Sequence, residues 1–193
     1  RESTTRQSYA ANFPNAWIPA ALLADTGSPG IAASPTAGQQ LFSPETLHSL
    51  QDGAVDRLKE TGLSETELDA LRSVEIQVQD LPDGYLGLAT DEAIIIDIDA
   101  NGAGWLVDET PHDDHEFDVF EQSAIAVAAA TRNRFDLLSV IAHELGHHAG
   151  LDHDDASFMS DRLSPGERRL PRSTETDDQF AAFSDLDGLL LGL

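Results

Sequence analysis

The sequence has 193 residues, of which 35 are acidic and 11 are lysine or arginine, so its formal net charge is −24. Such an acidic chain excludes a nucleic-acid-binding protein, because binding to phosphates requires a basic surface. Hydrophobic residues make up 40% of the chain, which is enough for a folded core, but no apolar run is long enough to cross a membrane.

The first 42 residues carry few charges and are rich in alanine, serine, threonine, proline and glycine. Two short stretches of glycine, proline and small polar residues within them are typical of linkers. Residues 1–42 are therefore expected to be a linker or edge extension, and a prosegment that lies across an active-site cleft is the alternative. Residues 43–172 are expected to fold as one domain, and residues 173–193 to form a C-terminal tail or linker.

Capping signals predict two helices at the start of the domain. A serine and a proline at 43–44 predict a helix that runs to residue 60 and stops at a glycine, Gly62. A capping box at residues 64–67 predicts a short second helix that ends near Arg72.

Apolar patterns then predict several strands. Residues 74–79 alternate between apolar and polar side chains, and residues 93–99 contain an apolar run that suits a buried position. Residues 85–89 and 105–107 are predicted to be short strands or loop, and residues 117–130 fit a strand and a helix equally. Helices, then strands, then a helix near residues 137–149 indicate an α+β fold.

An acidic loop precedes that helix at residues 108–118. Calcium takes six to eight oxygen ligands, and Asp113, Asp114 and Glu116 are candidates to supply some of them. Two histidines of the same loop, His112 and His115, offer nitrogen ligands that a metal ion can use. The alternative is a solvated acidic loop that binds no metal.

The segment from His143 to His153 reads H-E-x-x-H-x-x-G-x-x-H. Residues four apart share one face of a helix, so His143 and His147 can bind one metal ion together. Gly150 can end the helix in a left-handed conformation and return the chain, which brings His153 in as a third ligand. Three histidines with a free fourth position are typical of a catalytic zinc site.

Two further features support a folded metal-binding helix at this position. Asp136 is a suitable N-cap for a helix that spans about residues 137–149, and apolar residues follow it at helical spacing. Glu144 lies between the two helical ligands, where a carboxylate can act as a general base toward water. The sequence therefore predicts a metal-dependent hydrolase.

This segment resembles the extended zinc signature of the metzincin clan of metallopeptidases. Members of the clan also carry a methionine in a tight turn beneath the metal, and Met159 is the only methionine of this chain. Residues 136–142 are similar to the matrixin and serralysin branches, and residues 158–169 are similar to matrixin-like modules at the ends of large bacterial surface proteins. The resemblance extends over about residues 43–170. It is strong at the zinc motif and weak elsewhere.

The resemblance implies a small twisted mixed sheet, a backing helix and an active-site helix. It also implies structural calcium and a second, structural zinc in the acidic loop, the latter with His112 and His115 as candidate ligands, and a structural role for Met159. Astacins and serralysins have a tyrosine two residues after the methionine. Here that position is Asp161, and the matrixins also lack the tyrosine. Because the chain has no cysteine, latency through a cysteine ligand to the metal is excluded.

The stretch at residues 163–169 can begin a final short helix.

Together these features predict a zinc-dependent endopeptidase that is extracellular or attached to a bacterial cell surface. Its substrates are expected to be proteins or peptides, including its own parent chain. The alternative is a calcium-stabilised surface or adhesin module that only processes itself or whose catalysis is vestigial.

Overall fold

The computed structural model describes residues 21–25, 42–120, 123–154, 157–169 and 171, and the predicted C-terminal tail at 173–193 lies outside them. The helices are α1 (Pro44–Leu58), α2 (Glu65–Leu71) and α3 (Leu137–His148), and a 3-10 turn (Lys59–Thr61) follows α1. The strands are β1 (Leu23–Ala24), β2 (Glu75–Gln79), β3 (Gly87–Ala89), β4 (Ala93–Asp97), β5 (Trp105–Leu106), β6 (Phe117–Val119), β7 (Ser123–Ala126), β8 (Phe135–Asp136), β9 (Arg162–Leu163) and β10 (Glu167–Arg169). The α+β class is confirmed.

Side-chain caps fix the first two helices where the sequence predicts them. The Ser43 hydroxyl accepts a hydrogen bond from the Thr46 N–H at 3.1 Å, and Gly62 ends the helical segment with a φ of +80°. The capping box is complete, because Ser64 Oγ accepts from the Glu67 N–H and Glu67 Oε2 accepts from the Ser64 N–H. These helix ends therefore depend on neighbours in the sequence.

A three-stranded mixed sheet has β4 at its centre. β2 lies parallel to β4, and β3 lies antiparallel to it on the other side. All five residues of β4 are buried, as its apolar run predicts. β3 forms one edge of this sheet and runs next to α3.

The main core lies where α1, α3 and one face of this sheet meet. α1 packs along α3, so that it backs the predicted active-site helix, and α3 also packs on β3 and β4. The side chains shared by this cluster are fully or almost fully buried: Leu50, Val55, Leu58, Ile94, Ile96, Leu138, Val140 and Ile141. Burial of so many large apolar side chains is the main contribution to stability. Among the described residues, no helix has the length and hydropathy that a membrane crossing requires.

The ambiguous region at 117–130 contains two strands. β7 lies between β6 and β10, antiparallel to both. β5 and β8 form a separate parallel pair, and β8 leads directly into α3. β6 begins at the end of the acidic loop, and β10 belongs to the segment that follows Met159. β7 therefore joins these two parts of the chain in one sheet.

The predicted final helix at 163–169 is wrong, because these residues form β9, a turn and β10. Gly166 has a φ of +76° in that turn, and a side chain there would meet the backbone of Arg132 at 2.7 Å. β10 pairs with β7, and β9 lies parallel to β1. Tertiary pairing here overrides the local helix signal.

Candidate metal centre

Three imidazole rings converge at the end of α3. The Nε2 atom of His147 lies 3.0 Å from that of His143 and 3.1 Å from that of His153. Among the described residues, these three form the only group of three or more potential metal-binding side chains whose ligand atoms lie within 4.8 Å of one another. The two helical histidines meet because they lie one turn apart on α3.

A Schellman motif at the end of α3 returns the chain toward the third histidine. Gly150 has a φ of +83°, its N–H donates to the His147 carbonyl, and the Leu151 N–H donates to the Gly146 carbonyl. A residue with a side chain would be strained in this conformation. The turn places His153 opposite the helical pair.

Backbone carbonyls set which ring nitrogen of each helical histidine is free. Nδ1 of His147 lies 2.8 Å from the Leu151 carbonyl, and Nδ1 of His143 lies 3.3 Å from the Phe158 carbonyl. Because Nδ1–H donates to each carbonyl, both Nε2 atoms carry lone pairs that face each other. Two facing lone pairs repel unless a cation lies between them.

The spacing of these nitrogens fits zinc. Tetrahedral zinc with nitrogen ligands at 2.0–2.1 Å holds them roughly 3.3 Å apart, close to the spacing in this site. Burial, together with the positive charge that His147 and His153 would carry, lowers the pKa of His143 to about 3. Burial also lowers the pKa of His147. Both rings are therefore neutral at physiological pH, as metal ligation requires.

Glu144 is fully buried beside the histidine group. Its Oε1 accepts from the Leu22 N–H at 3.1 Å, while its Oε2 has no hydrogen-bond partner. Burial raises the pKa of Glu144 to about 8, although hydrogen bonds from the backbone of Leu22 and Ala89 oppose this effect. Oε2 is thus a buried oxygen without a hydrogen-bond partner, on the residue that follows the first histidine of the group in the chain.

Gly87 allows this carboxylate to lie against the edge of the sheet. A Cβ at position 87 would lie 2.7 Å from both Glu144 Oε1 and Val140 Cγ1. The absence of a side chain in β3 therefore lets α3 approach the strand closely.

Met159 lies beneath α3, next to the helical ligands. The residue is 3% exposed, and the Asp154 N–H donates to its carbonyl at 3.1 Å, which closes the short loop after His153. A Cβ at Gly146 would lie 2.6 Å from Met159 Sδ, so the sulfur fills the space that this glycine leaves. The helix, the methionine and the turn are thus packed as one unit.

Replacement of Gly146 by alanine tests this packing. We expect Gly146→Ala to reduce the free energy of unfolding by about 1–3 kcal/mol, because the new methyl group displaces the Met159 sulfur. Helix propensity alone predicts the opposite sign, a gain of about 1 kcal/mol. Urea unfolding of the metal-free protein measures the difference, and a stabilised variant would contradict the packing account.

The acidic loop does not bring its predicted calcium ligands together. Asp114 forms ion pairs with Arg57 at 2.7 Å and with Arg168 at 2.9 Å, while Asp113 contacts His115 at 2.7 Å. Glu116 accepts a hydrogen bond from Thr110 at 3.3 Å. The guanidinium groups of Arg57 and Arg168 therefore neutralise the negative charge of Asp114, as a calcium ion otherwise would. The structure gives calcium no support.

The two loop histidines also lie apart from any common centre. His112 contacts Asp56 at 3.2 Å, whereas His115 contacts Asp113. Neither belongs to a group of three potential ligands within the described part of the chain. A second zinc in this loop is therefore unsupported as well.

Arg168 is a structural residue of the site that the sequence does not reveal. Its side chain is 1% exposed and forms ion pairs with Asp108, Asp114 and Asp136 at 2.8 to 2.9 Å. It also lies 4.0 Å from the centre of the Phe117 ring. Although burial alone lowers its pKa, the three carboxylates raise the pKa of Arg168 and keep it charged.

Asp136 connects this ion cluster to the metal-binding helix. Its Oδ2 caps α3 by accepting from the Ser139 N–H at 3.1 Å and from Arg168 Nε at 2.9 Å. The only sequence signal for this arrangement is the N-cap itself. The other members of the ion cluster are Asp108, Asp114 and Arg168, and no spacing rule connects their positions in the sequence.

Comparison with known proteins agrees with this geometry. The family model described as Matrixin, a peptidase family, matches residues 80–182, which is just over half of the chain. No curated protein and no solved structure matches the chain. The matched span includes the histidine group, Glu144 and Met159. The chain therefore belongs to the matrixin family of peptidases.

Proposed function

We propose that this protein is a zinc-dependent endopeptidase. The observation that carries the proposal is the convergence of three imidazole nitrogens beside a buried carboxylate with one free oxygen. Zinc held by His143, His147 and His153 would supply a Lewis acid that makes water nucleophilic at neutral pH and polarises a peptide carbonyl.

Glu144 performs the proton transfers in this proposal. Its free Oε2 accepts a proton from the attacking water, and the carboxyl group then delivers that proton to the nitrogen of the leaving amine. Without metal, burial raises the pKa of Glu144 to about 8, so the carboxyl group must first lose its proton, and a nearby cation would favour this loss. The chain's own groups thus account for both proton transfers in peptide hydrolysis.

The alternative, a calcium-stabilised adhesin module with vestigial catalysis, has less support. The histidine group and Glu144 are intact, and two carboxylates of the acidic loop, Asp108 and Asp114, pair with arginines. Secretion to the cell exterior stays a prediction, and it is compatible with a proposed activity on protein substrates.

Metal content and two neighbouring histidines test the proposal. We expect about one zinc per chain, and casein cleavage that stops with a zinc chelator and returns with added zinc. His147→Ala is expected to lose zinc and cleavage together, because it removes one of three ligands. His148→Ala is the matched control, since His148 lies outside the ligand group, and it should retain both.

Elemental analysis and a casein assay measure these outcomes on all three proteins. If His147→Ala bound zinc and cleaved casein as the parent does, the site would not be the one described. If the zinc-loaded parent cleaved no protein under any condition, the proposed activity would be wrong.

A further inference from the structure

The edge strand β3 presents only small residues to the metal-binding helix. Gly87 lies opposite Ile96 in the register of the sheet, and Ala89 lies opposite Ile94. Paired residues of antiparallel strands share one face of the sheet, and both isoleucines belong to the core cluster that includes the apolar residues of α3. The face turned to α3 therefore changes from isoleucine in β4 to glycine and alanine in β3.

Glu144 occupies the space that these small residues leave. A Cβ at position 87 would lie 2.7 Å from Glu144 Oε1 and 3.0 Å from Glu144 Cγ, far inside van der Waals contact. The backbone of Ala89 forms a hydrogen bond to the same carboxylate. The proposed general base thus lies where a side chain of β3 would otherwise be.

The backbones on both sides of this contact are fixed. β3 is hydrogen-bonded to β4, and the Asp97 N–H donates to the Leu86 carbonyl at 3.0 Å just before Gly87. α3 packs on both the sheet and α1, and its residues Val140 and Ile141 are fully buried. Because close-packed elements of this kind resist separation, side chains must yield to an added methyl group at position 87.

Of the two side chains in contact with that position, Glu144 is the more flexible. The same Cβ would also lie 2.7 Å from Val140 Cγ1. A valine in a helix has one strongly preferred rotamer, because its branched Cβ is crowded by the preceding turn. The glutamate side chain has more rotatable bonds, and its Oε2 has no hydrogen-bond partner. A larger residue at position 87 would therefore displace the carboxylate.

We propose that Gly87 is a positioning residue for peptide hydrolysis, because its missing side chain sets the place of the Glu144 carboxylate. This inference rests on the proposed function. A general base must lie within hydrogen-bonding distance of the group it deprotonates, and a displacement of about 1 Å can lower a rate roughly 100-fold. Gly87 has no side chain to take part in the reaction, so it acts through Glu144.

Gly87→Ala tests this inference in the zinc-loaded full chain. We expect kcat for casein to fall about 10- to 100-fold, because the general base is displaced. KM should change by less than about twofold, since the lost interaction is one made in the transition state. Zinc content should equal that of the parent, and loss of zinc would contradict a role that acts through Glu144 alone.

Gly53→Ala is the matched control, because it creates the same kind of collision away from Glu144. A Cβ at position 53, in α1, would lie 2.6 Å from Pro111 Cβ. Neither Gly53 nor Gly87 has a positive φ, so alanine is not strained by the backbone at either position. Both variants should have a lower melting temperature, but Gly53→Ala should retain kcat within about twofold. An equal loss of kcat in both variants would overturn the proposal.

Removal of the neighbouring valine methyl groups provides a rescue. In Gly87→Ala/Val140→Ala, the new methyl group can occupy the space of Val140 Cγ1 instead of displacing the carboxylate. The kcat of this double variant should exceed that of Gly87→Ala by at least about threefold, whereas Val140→Ala should give no gain when added to Gly53→Ala. A further loss of kcat in the double variant would contradict the collision.

Hydrogen exchange gives a readout that needs neither zinc nor activity. In the metal-free parent the Ala89 N–H is held by the Glu144 carboxylate, whereas the Thr90 N–H donates to the Ala93 carbonyl at 2.9 Å. Gly87→Ala should speed exchange at Ala89 by at least about 10-fold and change exchange at Thr90 by less than about twofold. Equal acceleration at both amides, or none at Ala89, would overturn the proposal.

Casein cleavage by the parent separates this inference from the activity on which it rests. If the zinc-loaded parent cleaves casein and Gly87→Ala does so with the parental kcat, the positioning proposal fails and the peptidase stands. If the parent cleaves no protein, the peptidase proposal fails. The exchange rate at Ala89 then decides alone whether position 87 sets the place of the carboxylate.

Discussion

Glu144→Gln is expected to lower the hydrolysis of casein by at least about 100-fold, while zinc content stays near one per chain. Glutamine has almost the same shape, and its carbonyl oxygen can still accept from the Leu22 N–H. What it lacks is a group that can take a proton from water and release it to an amine. The variant therefore separates proton transfer from packing and from metal binding.

Stability gives a second expected result for the same variant. Burial opposes the charged form of Glu144 and raises its pKa to about 8. A neutral amide at this position avoids that cost, so the melting temperature should equal or exceed that of the parent. Glu92→Gln removes a carboxylate from an exposed position and is the matched control, with activity close to that of the parent.

Steady-state kinetics on casein, together with zinc analysis and thermal unfolding, measures these outcomes. Activity equal to that of the parent would rule out Glu144 as the general base. Loss of zinc together with activity would instead show that Glu144 supports the metal, which contradicts the role given to it here.

Local chemistry made the metal-binding helix and its ligands predictable. The Asp136 cap, the four-residue spacing of His143 and His147, and the left-handed glycine are all encoded within one short segment. The first two helices were predictable for the same reason, since each has a serine cap next to it in the chain. Such signals depend on atoms that stay close whatever the rest of the chain does.

Long-range pairing explains the features that the sequence did not reveal. The stretch around Pro165 has a helix-like start, but β10 pairs with β7 and Arg168 is held by three distant carboxylates. The calcium prediction was based on the negative charge of Asp114. It did not include Arg57 and Arg168, which neutralise that charge in the fold. The place of residues 21–25 depends on backbone hydrogen bonds, which leave almost no trace in side-chain identity.

Arg168→Met is expected to reduce the free energy of unfolding of the metal-free protein by about 3–5 kcal/mol. The substitution keeps much of the side-chain volume but leaves Asp108 and Asp136, whose side chains are at most 1% exposed, without their guanidinium partner. It also removes the group that holds the capping carboxylate of α3. Unpaired buried charges are among the most destabilising changes in a protein core.

Arg72 provides a matched control, because it also lies within 4 Å of three carboxylates, those of Asp52, Asp56 and Asp69. Its side chain is 30% exposed, so water screens these ion pairs, and Arg72→Met should cost less than about 1 kcal/mol. Arg168→Lys, which keeps the charge but loses the two-pronged contact to Asp136, should fall between the two.

Urea unfolding without zinc is the appropriate measurement, since bound metal would add its own stabilisation to every variant. If Arg168→Met and Arg72→Met cost the same small amount, the buried cluster would not be what fixes the start of α3. A large loss at Arg168 alone would show that the acidic loop is connected to the metal-binding helix through one guanidinium group. Asp108, Asp114 and Asp136 would then serve the metal centre by holding the guanidinium group that positions its helix.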